Sequence, residues 1–335
     1  MRTLGTIGTG WITGQFVQAA METNAFTWKA VYSRSADKGR KFAADNQGQD
    51  VDVYSNLDEF MQGDFDTVYI ASPNSLHFEQ AKQAILAGKN VVVEKPAFTN
   101  PAEMDAIVAL LKQHPEQYLF EAARHIYEDN FDQIQQIITN ADHIDGATLT
   151  YMKYSSRYDL VLAGEEPNIF SPQFAGGALQ DLGVYLVYDA VRWFGVPEKV
   201  LYKPTMLRTG VDGKGTAILH YLGFDVTLIM GKTVQSYLPS EIYSGKNTIW
   251  TNNAGTFDEV RLYENNGETH QTVGTKPDKN PMDAEVRAFS AIMADKNGQK
   301  YLNLLNLSRQ VNQVLYDLRQ SAGIVFPQDE QEMGK

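Results

Sequence analysis

The chain contains no cysteine, which excludes disulfides, thiolate metal sites and a cysteine nucleophile at once. Its six histidines, His77, His114, His125, His143, His220 and His270, show no ligand spacing, so no metal is expected. Long apolar runs are missing too: no stretch of about 18 apolar residues occurs, and the opening residues 3–8 read as a strand and turn, not as a leader. A soluble cytoplasmic protein is the resulting expectation. Positive charge is scarce, with 29 Lys and Arg against 41 Asp and Glu, a net charge of −12 and a pI near 5.0. That field repels nucleic acid and anionic membranes, so neither is an expected partner, and an anionic ligand has to be held by local features. What is present suits two domains with real cores: 335 residues, 43% of them hydrophobic and 11% aromatic.

The chain is organised around Asn90–Pro96, NVVVEKP. Three valines after a Gly-Lys-Asn turn have the composition of a strand buried on both faces. Glu94, Lys95 and Pro96 then fall at its C-terminal end, where open α/β sheets place their chemistry.

Upstream, Arg2–Ile7 reads as a strand, Gly8-Thr9-Gly10 as a turn and Trp11–Thr23 as a helix. In a dinucleotide fingerprint Gly8 allows the tight turn and Gly10 the close approach of backbone to pyrophosphate, with Thr13 in place of the third glycine and Gly14 beside it. A GxG by itself also fits any strand-to-helix turn. The second strand, Phe26–Tyr32, ends in Ser33-Arg34-Ser35, with no acid for a ribose 2′-hydroxyl. Arg34, with the serine hydroxyls and Lys38, suits a 2′-phosphate instead, which favours NADP over NAD. Strands at 51–54 and 67–71 alternate with helices at 36–45, 56–62 (opened by Ser55) and 76–87. Ser72, Asn74 and His77 lie at the same sheet edge as Gly8 and Lys95. A helix at 101–113 and a strand at 117–122 close a doubly wound parallel sheet with right-handed crossovers. The division predicted is 1–122 for nucleotide and 123–335 for substrate and oligomerisation.

From Arg124 the pattern changes. A helix is predicted at 130–139, a half-exposed strand at 146–154 and a long loop at 155–175 carrying Arg157, Tyr158 and Asn168. In Gly176–Tyr185, GGALQDLGVY, a single helix over 179–194 sets Asp181 and Tyr185 on one face, one turn apart. Asp189 and Arg192 read as structural charges. Alternating segments from Lys199 to Glu264 predict an antiparallel sheet, one face over that helix and the other a dimer surface. Helices at 281–295 and 302–322 and a solvated acidic tail at 328–335 complete the chain.

The motifs GTIGTGWIT, SPNSLH, VVVEKP, GGALQDLGVYLVYD and LRQSAGIVFP, in this order, resemble the Gfo/Idh/MocA oxidoreductases, the glucose–fructose oxidoreductase and inositol dehydrogenase family. The resemblance covers nearly the whole chain. It implies an N-terminal Rossmann domain, then an α/β domain with an open, mainly antiparallel sheet used for homodimer or homotetramer formation. It implies cofactor contacts from Gly8, Gly10, Trp11 and Ile12, from Ser33 and Arg34, and from Ser72, Asn74, His77, Glu94 and Lys95. Lys95 becomes the central active-site lysine, in a Lys95-Pro96 peptide that is cis. Asp181 matches the motif's carboxylate. Tyr185 stands where many members have histidine, which disfavours an inositol as substrate. Arg124 replaces the tryptophan of dihydrodiol dehydrogenase-like members, pointing to a polar, anionic or sugar-like substrate, with Asn168 a further contact.

The activity expected is reversible hydride transfer between nicotinamide and a carbinol carbon of a sugar, polyol or related hydroxy compound. Tyr185 exchanges the hydroxyl proton, Lys95 favours its deprotonated form and stabilises the alkoxide, and Asp181 orients the two. An alternative division makes Lys95 the proton carrier. The rival reading is a non-catalytic, nucleotide-sensing regulator of the same fold.

Overall fold

The structure, a computed structural model, describes residues 2–330. The described chain forms two compact units, one of residues 2–98, 102–124 and 278–308, the other of 99–101, 125–277 and 309–330.

The first unit is built on β1 (Arg2–Ile7), α1 (Trp11–Glu22), β2 (Phe26–Tyr32), α2 (Ala36–Asp45), β3 (Asp52–Tyr54), α3 (Leu57–Met61), β4 (Thr67–Ile70), α4 (His77–Leu86), β5 (Asn90–Glu94), α5 (Pro101–Gln113) and β6 (Leu119–Ala122). Its sheet has the order β3-β2-β1-β4-β5-β6, and every pairing in it is parallel. This is the doubly wound sheet expected, with its switch point between β1 and β4. Val91, Val92 and Val93 are each fully buried, as a strand covered by helices on both faces requires. Two details differ from expectation. Asn56, not Ser55, caps α3, its side chain accepting from the Glu59 N–H at 3.1 Å, and Leu76 ends a 3₁₀ turn before α4 begins.

The second unit contains α6 (Asp129–Asn140), β7 (Gly146–Met152), α7 (Tyr158–Leu162), α8 (Val184–Phe194), β8 (Lys199–Met206), β9 (Asp212–Tyr221), β10 (Phe224–Gly231), β11 (Ser240–Ser244), β12 (Asn247–Thr251), β13 (Val260–Glu264) and β14 (Thr269–Thr272). Its sheet runs β14-β13-β12-β11-β7-β10-β9-β8. It is antiparallel except where β10 pairs with β7, because β7 enters from an earlier part of the chain and takes a central place. The stretch 155–175 is not a plain loop: it holds α7 and two 3₁₀ turns, packed over Val161, Phe170 and Val211. The helix predicted at 179–194 begins as a π-helical turn, Leu179–Gly183, before α8. The run is pinned at its start, where Leu179 N–H donates to Asp212 Oδ2 at 2.7 Å, and its first turn takes the wider spacing.

Helices α9 (Asp283–Ala294), α10 (Gly298–Ser321) and α11 (Pro327–Glu330) end the described chain. α9 belongs to the first unit, where Phe289 stacks on Phe120 at 4.7 Å. The acidic tail does not start at residue 328. Asp329 is buried and takes Arg319 Nη1 and Nη2 at 2.7 and 3.0 Å, while Nη2 also donates to Thr99 O at 2.9 Å. Residues 331–335 of the predicted tail lie outside the described residues.

Candidate active site

At the switch point, Gly8 has φ +109°, and a Cβ there would lie 2.7 Å from Ala71 O at the end of β4. Only glycine gives this turn and leaves the backbone open. Gly10 is the N-cap of α1 without a side-chain cap bond, and the first turn of α1 carries no acid. Its N–H groups and the helix dipole therefore face the turn uncancelled. Thr13 is fully buried, and its Oγ1 has no hydrogen-bond partner among the described residues. The glycine cradle, the uncapped helix end and the orphaned hydroxyl fit a dinucleotide diphosphate. Ile12 is half-buried beside them. Trp11 is 76% exposed.

At the end of β2, Ser33 is buried and its N–H donates to Tyr54 O at 3.0 Å, while Arg34 is exposed. Ser35 is committed to the helix behind them, capping α2 by accepting from Lys38 N–H at 3.4 Å. The ends of β4 and β5 are tied together. His77 is fully buried, with Nε2 2.9 Å from Ser72 O and Nδ1 3.1 and 3.2 Å from Pro96 O and Ala97 O. Burial pushes its pKa below the ordinary value, against the pull of those carbonyls. Its ring clamps the turn of Ser72 and Asn74 to the turn that carries Lys95. Glu94 is also buried, accepting from Tyr69 O–H at 2.6 Å, and burial raises its pKa against the nearby charge of Lys95. Lys95 itself is half-buried, and the Lys95-Pro96 peptide is cis. Arg124, two residues beyond β6, is half-buried and close enough to lower the pKa of Glu94. Gly8, Gly10, Arg34, Lys95 and the clamped turns thus share the C-terminal edge of one sheet.

In the second unit the GGALQDLGVY stretch explains itself locally. Gly177 has φ +122°, and a Cβ there would collide with the Asp212 carboxylate. That carboxylate accepts from Leu179 N–H and from Tyr202 O–H, the latter at 2.6 Å, and so anchors the start of the π-helical turn. Asp181 on that turn is ion-paired with Lys232. Tyr185, 7% exposed, packs against Tyr151 at 5.2 Å and against the His125 ring at 4.7 Å. Behind it His125 Nε2 lies 3.2 Å from Asp189 Oδ1, and burial followed by the charge of Glu128 pushes the Asp189 pKa up. Asn168 and Arg157 are exposed, and Asn168 opens a 3₁₀ turn. Lys232 and Asp212 are not among the residues the sequence singles out. A signal for Lys232 exists: Val226, Leu228 and Met230 face inward along β10, and residue 232 continues their parity.

The profile of the GFO_IDH_MocA family, an oxidoreductase family with an NAD-binding Rossmann fold, matches residues 2–122. Scyllo-inositol 2-dehydrogenase (NADP(+)) IolU of Bacillus subtilis is 34% identical over 325 residues, 97% of this chain and 98% of that protein. The Escherichia coli oxidoreductase YgjR is 35% identical over 324 residues, 96% of this chain and 97% of that one. Among solved structures, the 3-ketoreductase KijD10 of Actinomadura kijaniata, in complex with NADP and TDP-benzene, superposes with a TM-score of 0.82 at 18% identity, covering 96% of this chain and 98% of that chain.

Proposed function

The chain belongs to the GFO_IDH_MocA family of NAD-binding oxidoreductases, and from that premise we propose that it interconverts a secondary alcohol of a cyclitol, polyol or sugar with its ketone, using NADP. The observation that carries this reading is the end-to-end similarity to an NADP-dependent scyllo-inositol dehydrogenase. That similarity weighs against the inference that Tyr185 disfavours an inositol. Exposed Arg34, where an acid would select NAD, supports NADP.

The cradle of Gly8, Gly10 and Thr13 would hold the diphosphate, with Arg34 for the 2′-phosphate. When bound, the nicotinamide supplies or accepts the hydride. Lys95 stabilises negative charge on the substrate oxygen, and either Tyr185 or Lys95 takes the hydroxyl proton as the carbinol carbon gives up its hydride. His77 and Glu94 hold the Lys95 turn from beneath. Tyr185 is held by Tyr151 and His125. Leu201 and Ile218, cross-strand neighbours that are 56% and 41% exposed on the second sheet, support association of copies through that sheet.

The test is absorbance of reduced nicotinamide during incubation of wild type and Lys95→Ala with NADP and a panel of cyclitols and sugars. Turnover by wild type, reduced at least about a hundredfold in the variant, is expected. Nearly full turnover by Lys95→Ala would remove the scheme, and nucleotide binding without turnover of any polyol would support a sensor instead.

A further inference from the structure

Lys232 lies just beyond β10 and is 1% exposed, although it is a basic side chain. Its ammonium pairs with Asp181 Oδ2 and stands 4.9 Å from the ring centroid of Phe170, itself fully buried. Its charge also reaches Asp212, whose pKa it lowers against a larger effect of burial. Burying an ammonium this completely is unfavourable unless its partners are fixed. The two ends of the pair are not equally hidden. The Lys232 side chain is 2% exposed and that of Asp181 is 22% exposed, so the acid is presented and the lysine works from behind it.

We propose that Lys232 is a positioning residue that holds the Asp181 carboxylate in one orientation as an acceptor for a substrate hydroxyl. The proposal deepens the dehydrogenase reading and rests on it. A carboxylate locked to a lysine accepts hydrogen bonds and donates none, so it recognises O–H groups. The same lock leaves Asp181 unsuited to proton exchange, which stays with Tyr185 or Lys95.

Three variants test this: Lys232→Met, Asp181→Asn and the double variant, each measured by thermal unfolding, by calorimetric binding of scyllo-inositol to the NADPH-loaded protein, and by steady-state kinetics. Lys232→Met is expected to lower the unfolding midpoint and to weaken scyllo-inositol binding about tenfold or more, with KM changing more than kcat. The double variant, which removes both members of the pair and leaves only the weaker effect on Asp212, is expected to regain most of the unfolding midpoint but not the binding. If it regains both, or if Lys232→Met changes neither, the proposal is overturned. Should Lys232→Met not fold, the comparison of Asp181→Asn with the double variant decides: equal binding loss in both supports the coupling, and a further loss in the double variant refutes it. Wild type that binds scyllo-inositol through this pair without turning it over would uphold the role of Lys232 and refute the dehydrogenase reading alone.

Discussion

Arg34 is exposed at the end of β2, beside a serine whose backbone is tied to Tyr54. An exposed guanidinium on a fixed turn is well placed to form a bidentate contact with a phosphate. Arg34→Ala is expected to weaken NADPH binding by about ten- to a hundredfold while leaving NADH nearly unchanged, read by tryptophan fluorescence with Trp11 as reporter; equal loss for both nucleotides would make Arg34 a general surface charge. Asp189 yields a prediction in pH. Its pKa is raised by burial, so the folded protein holds a proton that the unfolded chain gives up near the ordinary value of 3.8. Its stabilising contribution is present below that value and is lost as pH rises through the folded pKa. Asp189→Asn is therefore expected to flatten the fall in unfolding midpoint above about pH 4, and a variant with an unchanged pH slope would contradict this. At this scale Lys95 and Glu94 are legible because three valines lead straight to them, and Gly8 because it follows a strand. Asp212 is not legible, since its partners Tyr202 and Leu179 lie 10 and 33 residues away. His77 is legible as a residue at the right edge, but its clamp on two turns depends on carbonyls that only the fold brings together.

The helical run from Leu179 to Phe194 depends on its first turn. Gly177→Ala would place a methyl group against the Asp212 carboxylate at a backbone conformation that suits glycine. It is expected to cost roughly 2–4 kcal/mol, measured by chemical denaturation, with a loss under about 0.5 kcal/mol showing that Asp212 shifts freely. Another element-scale anchor is Arg319 on α10, which with Asp329 fixes α11. Asp329→Ala is expected to cost about 3–5 kcal/mol, because it strands a buried guanidinium, and an unchanged denaturation midpoint would contradict that. Elements with regular periodicity are readable in advance: α2 and α5 keep the bounds their patterns imply. The π-helical turn is not, since the apolar pattern of the run carries no sign of it and the bond that anchors its start joins Leu179 to Asp212, 33 residues away. The parallel β7–β10 pair is equally hidden, because adjacent hairpins suggest antiparallel neighbours and nothing local places β7 between β10 and β11.

Over the whole molecule, the alternation of strands and helices up to Ala122 is a local signal repeated, which is why the parallel sheet is visible in the sequence. The return of residues 278–308 to the first unit is a long-range choice, carried by contacts such as Asn280 Nδ2 to Gln15 O at 3.0 Å and Tyr301 O–H beside Leu119 N at 3.3 Å. No alternation announces it. The net charge of −12 leaves anion binding to the glycine cradle, to Arg34 and to the helix end, so salt is expected to weaken nucleotide binding only moderately. The most direct measurement of the central claim is isotope transfer. The protein is incubated with NADP and with scyllo-inositol deuterated at its carbinol carbons, and the recovered reduced nucleotide is weighed by mass spectrometry. One deuterium per reduced nicotinamide, carried over as deuteride and absent with Lys95→Ala, is the result predicted; nucleotide that binds and is recovered without deuterium from any deuterated polyol would contradict it.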